Sequence, residues 1–168
     1  GIEALTPPAI PKGENLTALH IKTFELTDEF FTGRLRLILE GAESCCFVYL
    51  NGGFIGYSED SFTPAEFDIS GAAKIGSNRL AIIVAQFCSG SWLEDQDFWR
   101  LSGLFRPVGI QLDAPVRMED IRVSSEVDAS LEKGRVKTKL RVFSDREASY
   151  VAWMKLGQTD CATRVEGV

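Results

Sequence analysis

Cys45–Ser58, CCFVYLNGGFIGYS, is the stretch on which the fold turns. CCFVYL is apolar at alternate positions of both parities and stops at Asn51-Gly52. That dipeptide supplies the positive φ angles of a tight two-residue turn, and FIGYS then reads as the returning strand of a hairpin. Upstream, LRLILEG sets Leu35, Leu37 and Leu39 against Arg34, Arg36 and Glu40, one dry face and one wet. Downstream, NRLAIIVAQF (Asn78 to Phe87) has Leu80, Ile82 and Val84 on one side and Ala81, Ile83 and Ala85 on the other, the pattern of a central strand covered on both faces. PVGIQLDAP adds a further short strand. No window longer than about ten residues carries a capped helical stripe, so the sequence predicts an all-β chain.

Asp113-Ala114-Pro115 marks a boundary, because proline cannot donate to a ladder and the rhythm changes beyond it. Three strands are predicted after it: IRVSSEV from Ile121, RVKTKLRVF from Arg135 and ASYVAWMKL from Ala148. Lys137, Lys139 and Arg141 alternate with Val136, Thr138, Leu140 and Val142, which makes this basic run the wet face of a strand. Three strands are half of a small sandwich and leave one apolar face in need of cover, by a partner surface, by further chain or by self-association.

Charge narrows the function classes. A formal net charge of −6 makes phosphate backbones poor partners, because a nucleic-acid binder needs clustered Lys and Arg to displace counterions, so nucleic acid is disfavoured. No run approaches the roughly 20 apolar residues that span a bilayer, and the opening GIEALTPPAIPKGENL lacks the layout of a signal peptide. Cys45, Cys46, Cys88 and Cys161 have neither metal-site spacing nor disulfide-scaffold density, so they read as buried free thiols of a cytoplasmic protein. Cys45 and Cys46, as strand neighbours, face opposite ways and are poorly placed to bridge each other. His20 is the sole histidine, which removes any multi-histidine metal site; it reads as a half-exposed strand residue.

The densest chemistry lies in SWLEDQDFWRLSGLFR, Ser91 to Arg106. Glycoside hydrolysis needs two carboxyls across the scissile bond with separated pKa values. Glu94, Asp95 and Asp97 mimic such a set in sequence, but an extended loop sends i and i+2 the same way at roughly 7 Å, with no apolar pocket for the acid. Catalysis by this trio alone is not expected. A carboxylate accepting from two sugar hydroxyls is the better use of Asp97, with Glu94 and Asp95 as structural neighbours. Trp99 is expected in the core, Trp92 either there or stacked on a sugar. Arg100 and Arg106 should brace the loop, Gly103 should permit a turn, and Asp60, Ser61, Glu66 and Asp68 should form turns.

VYLNGGFIGYSEDSFTPAEFDIS, followed by NRLAIIVAQFCSGSWLEDQDFWRLSGLFRPVGI, resembles the amino-terminal sugar-binding jelly-roll domain of glycoside hydrolase family 2 β-galactosidases, from about Pro11 to Leu112. The resemblance implies a galactose-binding-like jelly-roll β-sandwich over residues 1–114, truncated at its amino terminus, and a partial immunoglobulin-like β-sandwich over 115–168. It places the two catalytic glutamates on a separate (β/α)8 barrel, which typically needs roughly 250 residues and cannot fit here. On that reading this chain contains no catalytic residue and is inactive alone, a piece of a longer enzyme hydrolysing terminal β-galactosides. The family's motif makes Asp97 a contact for substrate hydroxyls and a sodium ligand, and sets Asn15, in PKGENLT, as a second substrate contact. Leu16 stands where the family usually has proline, and Phe62 where it usually has arginine. Magnesium belongs to the parent enzyme, with no ligands identified in this chain. The other readings are a free-standing carbohydrate-binding module and a structural or assembly domain.

Overall fold

The computed structural model describes residues 5–94, 99–147, 149, 151–156 and 159–163. The chain divides into two units, Gly1–Asp113 and Ala114–Val168. The first is organised around the strand with the strongest two-sided apolar pattern. β1 (Thr17–Leu26), β2 (Arg34–Leu39), β3 (Ala42–Glu43), β4 (Cys45–Leu50), β5 (Gly53–Ser58), β6 (Ala65–Asp68), β7 (Gly76–Ala85), β8 (Gly103–Leu104) and β9 (Val108–Asp113) follow in chain order. They form a four-stranded antiparallel sheet, β1-β7-β4-β5, a three-stranded one, β6-β2-β9, and a short β3-β8 ladder.

The two larger sheets face one another. Leu35, Leu37 and Leu39 of β2 join Val48 and Leu50 of β4, Leu80, Ile82 and Val84 of β7, and Phe67 and Ile69 in one buried cluster. Each such side chain contributes about 1.5–3 kcal/mol by leaving water, which holds the sheets as a β-sandwich. The Asn51-Gly52 turn has φ of 53° and 88°, as its sequence requires. Asn51 does more than turn: its amide donates to the Ala72 carbonyl and to Asn78 Oδ1, each at 2.9 Å, and its Oδ1 accepts from the Arg79 amide at 3.0 Å. Gly56 is glycine for space, since a Cβ there would lie 2.6 Å from the Phe67 ring.

The wet side of β2 is built on charge. Arg36 grips Asp113 through Nε at 2.7 Å and Nη2 at 2.8 Å, and its Nη1 donates to Glu66; Arg34 Nε donates to Asp68 at 2.8 Å. Glu66 and Asp68 therefore stand on a strand paired with β2 and lace β6 to it. This corrects the turn expected of PAEFD: only Asp68 adds a turn contact, accepting from the Ser70 amide at 3.0 Å. Asp113 itself is buried.

Register places two rungs of apolar side chains across the outer face of the four-stranded sheet. Leu19, Ile83, Phe47 and Tyr57 form one, and Ile21, Ala81, Tyr49 and Phe54 the next. Phe47 and Tyr57 have ring centroids 4.7 Å apart, Tyr49 and Phe54 5.4 Å. At the edges of these rungs Leu19, Ile21, Phe54 and Tyr57 are exposed. Between the sheets on the β1 side lies a cleft of about 530 Å³, walled by Leu37, Leu80, Ile82 and Ile110, with His20 and Lys22 also lining it. His20 is an exposed strand residue at the rim of this cleft.

In the second unit, β10 (Val116–Val127) pairs antiparallel with β11 (Gly134–Ser144), and β12 (Ala152–Leu156) with β13 (Thr159–Thr163). β10 begins before Ile121, with a register shift between Met118 and Asp120. β12 begins after Ala148, which with Tyr150 lies outside the described residues. The wet face of β11 is as its alternation predicts, with Lys137, Lys139 and Arg141 exposed and Val136, Leu140 and Val142 partly covered. Ile121, Val123 and Val127 of β10 are exposed in spite of their apolar side chains.

Truncating Arg36 to Ala strands the buried Asp113 carboxylate, and we expect a loss of about 3–5 kcal/mol, read as a lowered urea midpoint at unchanged slope. The double variant Arg36→Met, Asp113→Leu should recover most of that loss. Equal destabilisation by both would show that the pair does not act as a pair.

Candidate functional site

β7 ends at Ala85, and the chain must leave the sheet without stranding its backbone polar groups. Asn15 meets the first need. Its Nδ2 donates to the Phe87 carbonyl at 2.8 Å and its Oδ1 accepts from the Phe87 amide at 2.9 Å, while the Gln86 amide donates to the Leu16 carbonyl at 2.9 Å. The segment expected to touch substrate thus runs beside the start of the acidic loop, and Asn15 works there as a clamp on the backbone.

Next comes a buried knot of hydroxyls. Ser44 Oγ donates to the Gln86 carbonyl at 2.8 Å and receives a hydrogen bond from Ser91 Oγ at 2.9 Å; Ser91 Oγ accepts from the Cys88 amide at 3.0 Å. Ser91 belongs to a 3-10 turn, Ser89–Trp92, held by the Glu59 carboxylate. Glu59 accepts from Ser89 Oγ at 3.0 Å, the Gly90 amide at 3.0 Å and the Tyr57 hydroxyl at 2.6 Å. The tyrosine above all, then Ser89 and Gly90, hold its carboxyl below the usual glutamate range. Glu94 closes the knot: Oε1 accepts from the Ser61 amide at 2.8 Å and Oε2 from the Ser61 hydroxyl at 2.5 Å. Ser61 is completely buried, so this is a structural clamp and no longer a carboxylate available to a ligand. Asp60 is likewise committed, accepting from the Phe62 and Thr63 amides at 3.1 and 3.0 Å in the turn its sequence suggests.

The far side of the loop is pinned as firmly. Gln86 Nε2 donates to the Arg100 carbonyl at 3.0 Å, and Ser102 Oγ donates to the Glu43 carbonyl at 2.6 Å. Ser102 and Gly103 follow with φ of 62° and 103°, a left-handed pair that favours the glycine. Arg106 braces the return, donating to the Glu40 and Phe62 carbonyls at 3.2 and 2.7 Å. Position 62, where phenylalanine stands, thereby contributes a backbone oxygen. The Arg100 guanidinium lies 5.7 Å from the centre of the Phe87 ring.

Asp97 and Asp95 lie outside the described residues, which run to Glu94 and resume at Trp99. The flanks of that gap are apolar and open: Leu93 is 89% exposed, Trp99 85% and Leu101 81%. This corrects the core position expected of Trp99: no pocket among the described residues receives its ring. Trp92 is partly covered, and its Nε1 donates to the Ala9 carbonyl at 2.9 Å. The cleft described above shares none of the residues that root this loop.

No group of three or more His, Cys, Asp or Glu side chains converges on a metal-binding arrangement among the described residues. The carboxylates beside the loop already face donors of the chain. Ser44, Ser91, Glu59 and Ser61 are the functional supports that sequence reading missed. Glu59 and Ser61 sit in a SEDS run that signals only a turn, and nothing local marks Ser44.

Removing Glu94 leaves the Ser61 amide buried and unpaired and the Ser61 hydroxyl with only a long bond to the Ser44 carbonyl. We expect Glu94→Ala to cost about 1–3 kcal/mol per group, with faster amide exchange confined to residues near 61 and 94. The depressed Glu59 carboxyl adds stability above its unfolded pKa, near 4.5, that is lost as pH falls through the folded value. Glu59→Gln should therefore flatten acid unfolding below about pH 4.5, measured by circular dichroism.

Residues 3–115 match the family model described as glycosyl hydrolases family 2, sugar binding domain. The β-galactosidase of Halalkalibacterium halodurans is 42% identical over 147 residues, spanning 88% of this chain and 14% of that protein. That of Streptococcus thermophilus is 38% identical over 154 residues, 92% of this chain and 15% of the relative. Among solved structures, a β-glucuronidase from an uncultured Clostridium superposes with a TM-score of 0.68 at 23% identity, covering 89% of this chain and 29% of that one. The Bifidobacterium dentium β-glucuronidase gives 0.64 at 19% identity, covering 77% and 27%. These structures share the fold, and the chain spans about a seventh of the length of the β-galactosidases it matches. By its match over residues 3–115, the chain belongs to the sugar-binding domain family of glycosyl hydrolases family 2.

Proposed function

We propose that this chain is the sugar-binding part of a cytoplasmic β-galactosidase, lending contacts to a catalytic barrel that it does not itself contain. The observation that carries the reading is the double anchorage of the loop. Ser91 and Glu94 on one side, Arg100 and Ser102 on the other, are fixed to the sandwich by hydrogen bonds, so the segment between them is presented from a rigid root. Asp97 lies in that segment and is its sugar contact: a carboxylate accepts from two hydroxyls at once with charge-assisted strength. Asn15 contributes by setting where the loop begins, and any direct contact with substrate uses the hydrogen-bonding capacity left after Phe87. If a sodium ion binds, Asp97 is the ligand this chain offers, and the remaining oxygens come from elsewhere.

A chromogenic galactoside should give no turnover with the 168-residue chain. Turnover that disappears in Asp97→Ala would overturn the proposal. In a polypeptide that supplies the barrel, Asp97→Asn should lower kcat/KM by about 100-fold, the worth of one charged hydrogen bond of 2–3 kcal/mol. Calorimetric titration separates the competing reading: millimolar or tighter galactose binding by the chain alone would make it a free-standing carbohydrate-binding module.

A further inference from the structure

The sandwich is open along one side. Its four-stranded sheet ends at β1 and its three-stranded sheet at β9, and among the described residues neither strand has a ladder partner on its outer edge. Those two edges flank the cleft of about 530 Å³: His20, Ile21 and Lys22 line it from β1, and Val108, Gly109 and Ile110 from β9.

Register shows that the core itself lies open there. Val108, Ile110 and Leu112 stand opposite Leu39, Leu37 and Leu35, which are buried between the sheets, so their side chains point inward as well. Yet Val108 and Leu112 are exposed and Ile110 is only partly covered. On the facing sheet His20 and Lys22 stand opposite the buried Ile82 and Leu80; they too point inward, and both are exposed. Glu25 stands opposite Ser77 and points to the outer face, so the inward-facing side of β1 offers two nitrogen donors and no carboxylate.

The edge of β9 identifies what fits the opening. Soluble proteins blunt an edge strand with a charge, a proline or a bulge. VGIQLD has no proline and no charge before Asp113, and it pairs with β2 without a register shift. Among the described residues no ladder takes up its outer row of amides and carbonyls. A small apolar molecule would fill the cleft and leave that row unpaired, whereas a strand satisfies both at once. A strand beside β9 also brings the smaller sheet to four strands, matching the sheet it faces, and sets the newcomer across the cleft from β1.

We propose that the open side of the sandwich takes up one extended peptide strand from outside residues 1–168, paired with the free edge of β9. Main-chain hydrogen bonds supply the affinity, and alternate, inward-facing side chains supply the selection. Positions facing Leu37, Leu80 and Ile82 take branched apolar side chains, and the position facing His20 and Lys22 takes a carboxylate.

The test titrates the 168-residue chain with the blocked heptapeptide TVTVTET, whose second, fourth and sixth side chains share one face, while amide exchange is followed by NMR. We expect millimolar or tighter binding and slowed exchange at alternate residues of Val108–Asp113. TVTVTKT should bind about fivefold more weakly, and Lys22→Glu, a change at an exposed position, should reverse that order. TVTPPET lacks two consecutive amides and should not bind. Binding without slowed exchange on β9, slowing on β1 in its place, or equal affinity for the proline peptide overturns the proposal. So does the absence of binding to a chain that light scattering shows to be monomeric. A self-associated chain whose β9 amides are already slow overturns it as well, by putting a second copy in the cleft. The titrations use the unmutated chain, so the outcome stands even where Lys22→Glu fails to fold.

Discussion

Where β7 runs out, the backbone of residues 86 to 94 has to find partners for its amides and carbonyls at a place largely closed to water. A buried peptide group without a partner costs as much as a lost hydrogen bond and often more. The chain solves this almost entirely with side chains from other segments. Asn15 takes both polar groups of Phe87, Ser44 the carbonyl of Gln86, Ser91 the amide of Cys88 and Glu59 the amide of Gly90. Each donor or acceptor comes from a strand end or turn that the sandwich already fixes. The backbone from Gln86 to Ser91 is therefore fixed to the core beneath it, and the polar residues that hold it are committed before any ligand arrives.

That commitment sorts the acidic residues. Glu59, Asp60 and Glu94 look alike in composition to Asp95 and Asp97, yet all three spend their oxygens on the chain's own donors. A carboxylate saturated by backbone amides and hydroxyls has little capacity left for a sugar or a cation, because each new donor must displace one already in place.

What the sequence made legible was set by local periodicity. The β4-β5 hairpin, the dry face of β2 and the two-sided β7 follow from patterns only a few residues long. β6 escaped because PAEFD is short and its charges look like turn residues; only the pairing of Glu66 and Asp68 with Arg36 and Arg34 reveals a strand. Ser44 and Ser91 depend on partners more than 40 residues away in the chain, which no window shows. Trp99 misled for another reason. A large aromatic is a good wager for the core, and the ring stands out instead beside the gap that contains Asp97.

The exposure of Trp99 belongs with that of Leu93 and Leu101, and together they sharpen what kind of surface this is. A monomer rarely leaves three large apolar side chains open around one short segment, and the outer rungs of the β1-β7-β4-β5 sheet expose four more in register. Yet the backbone on both sides of the segment is tightly held, so loose packing does not explain the exposure. A rigid root with an apolar collar gains free energy when another surface closes over it, and it loses little entropy in doing so because its hydrogen bonds are already made. A free-standing sugar module would be expected to surround its ligand contact with hydrogen-bonding groups of its own, whereas here Glu59, Asp60 and Glu94, the described carboxylates nearby, are spent and the collar is apolar. That combination suits the proposed reading, in which the loop lends its contact to a barrel, better than a module that binds sugar unaided.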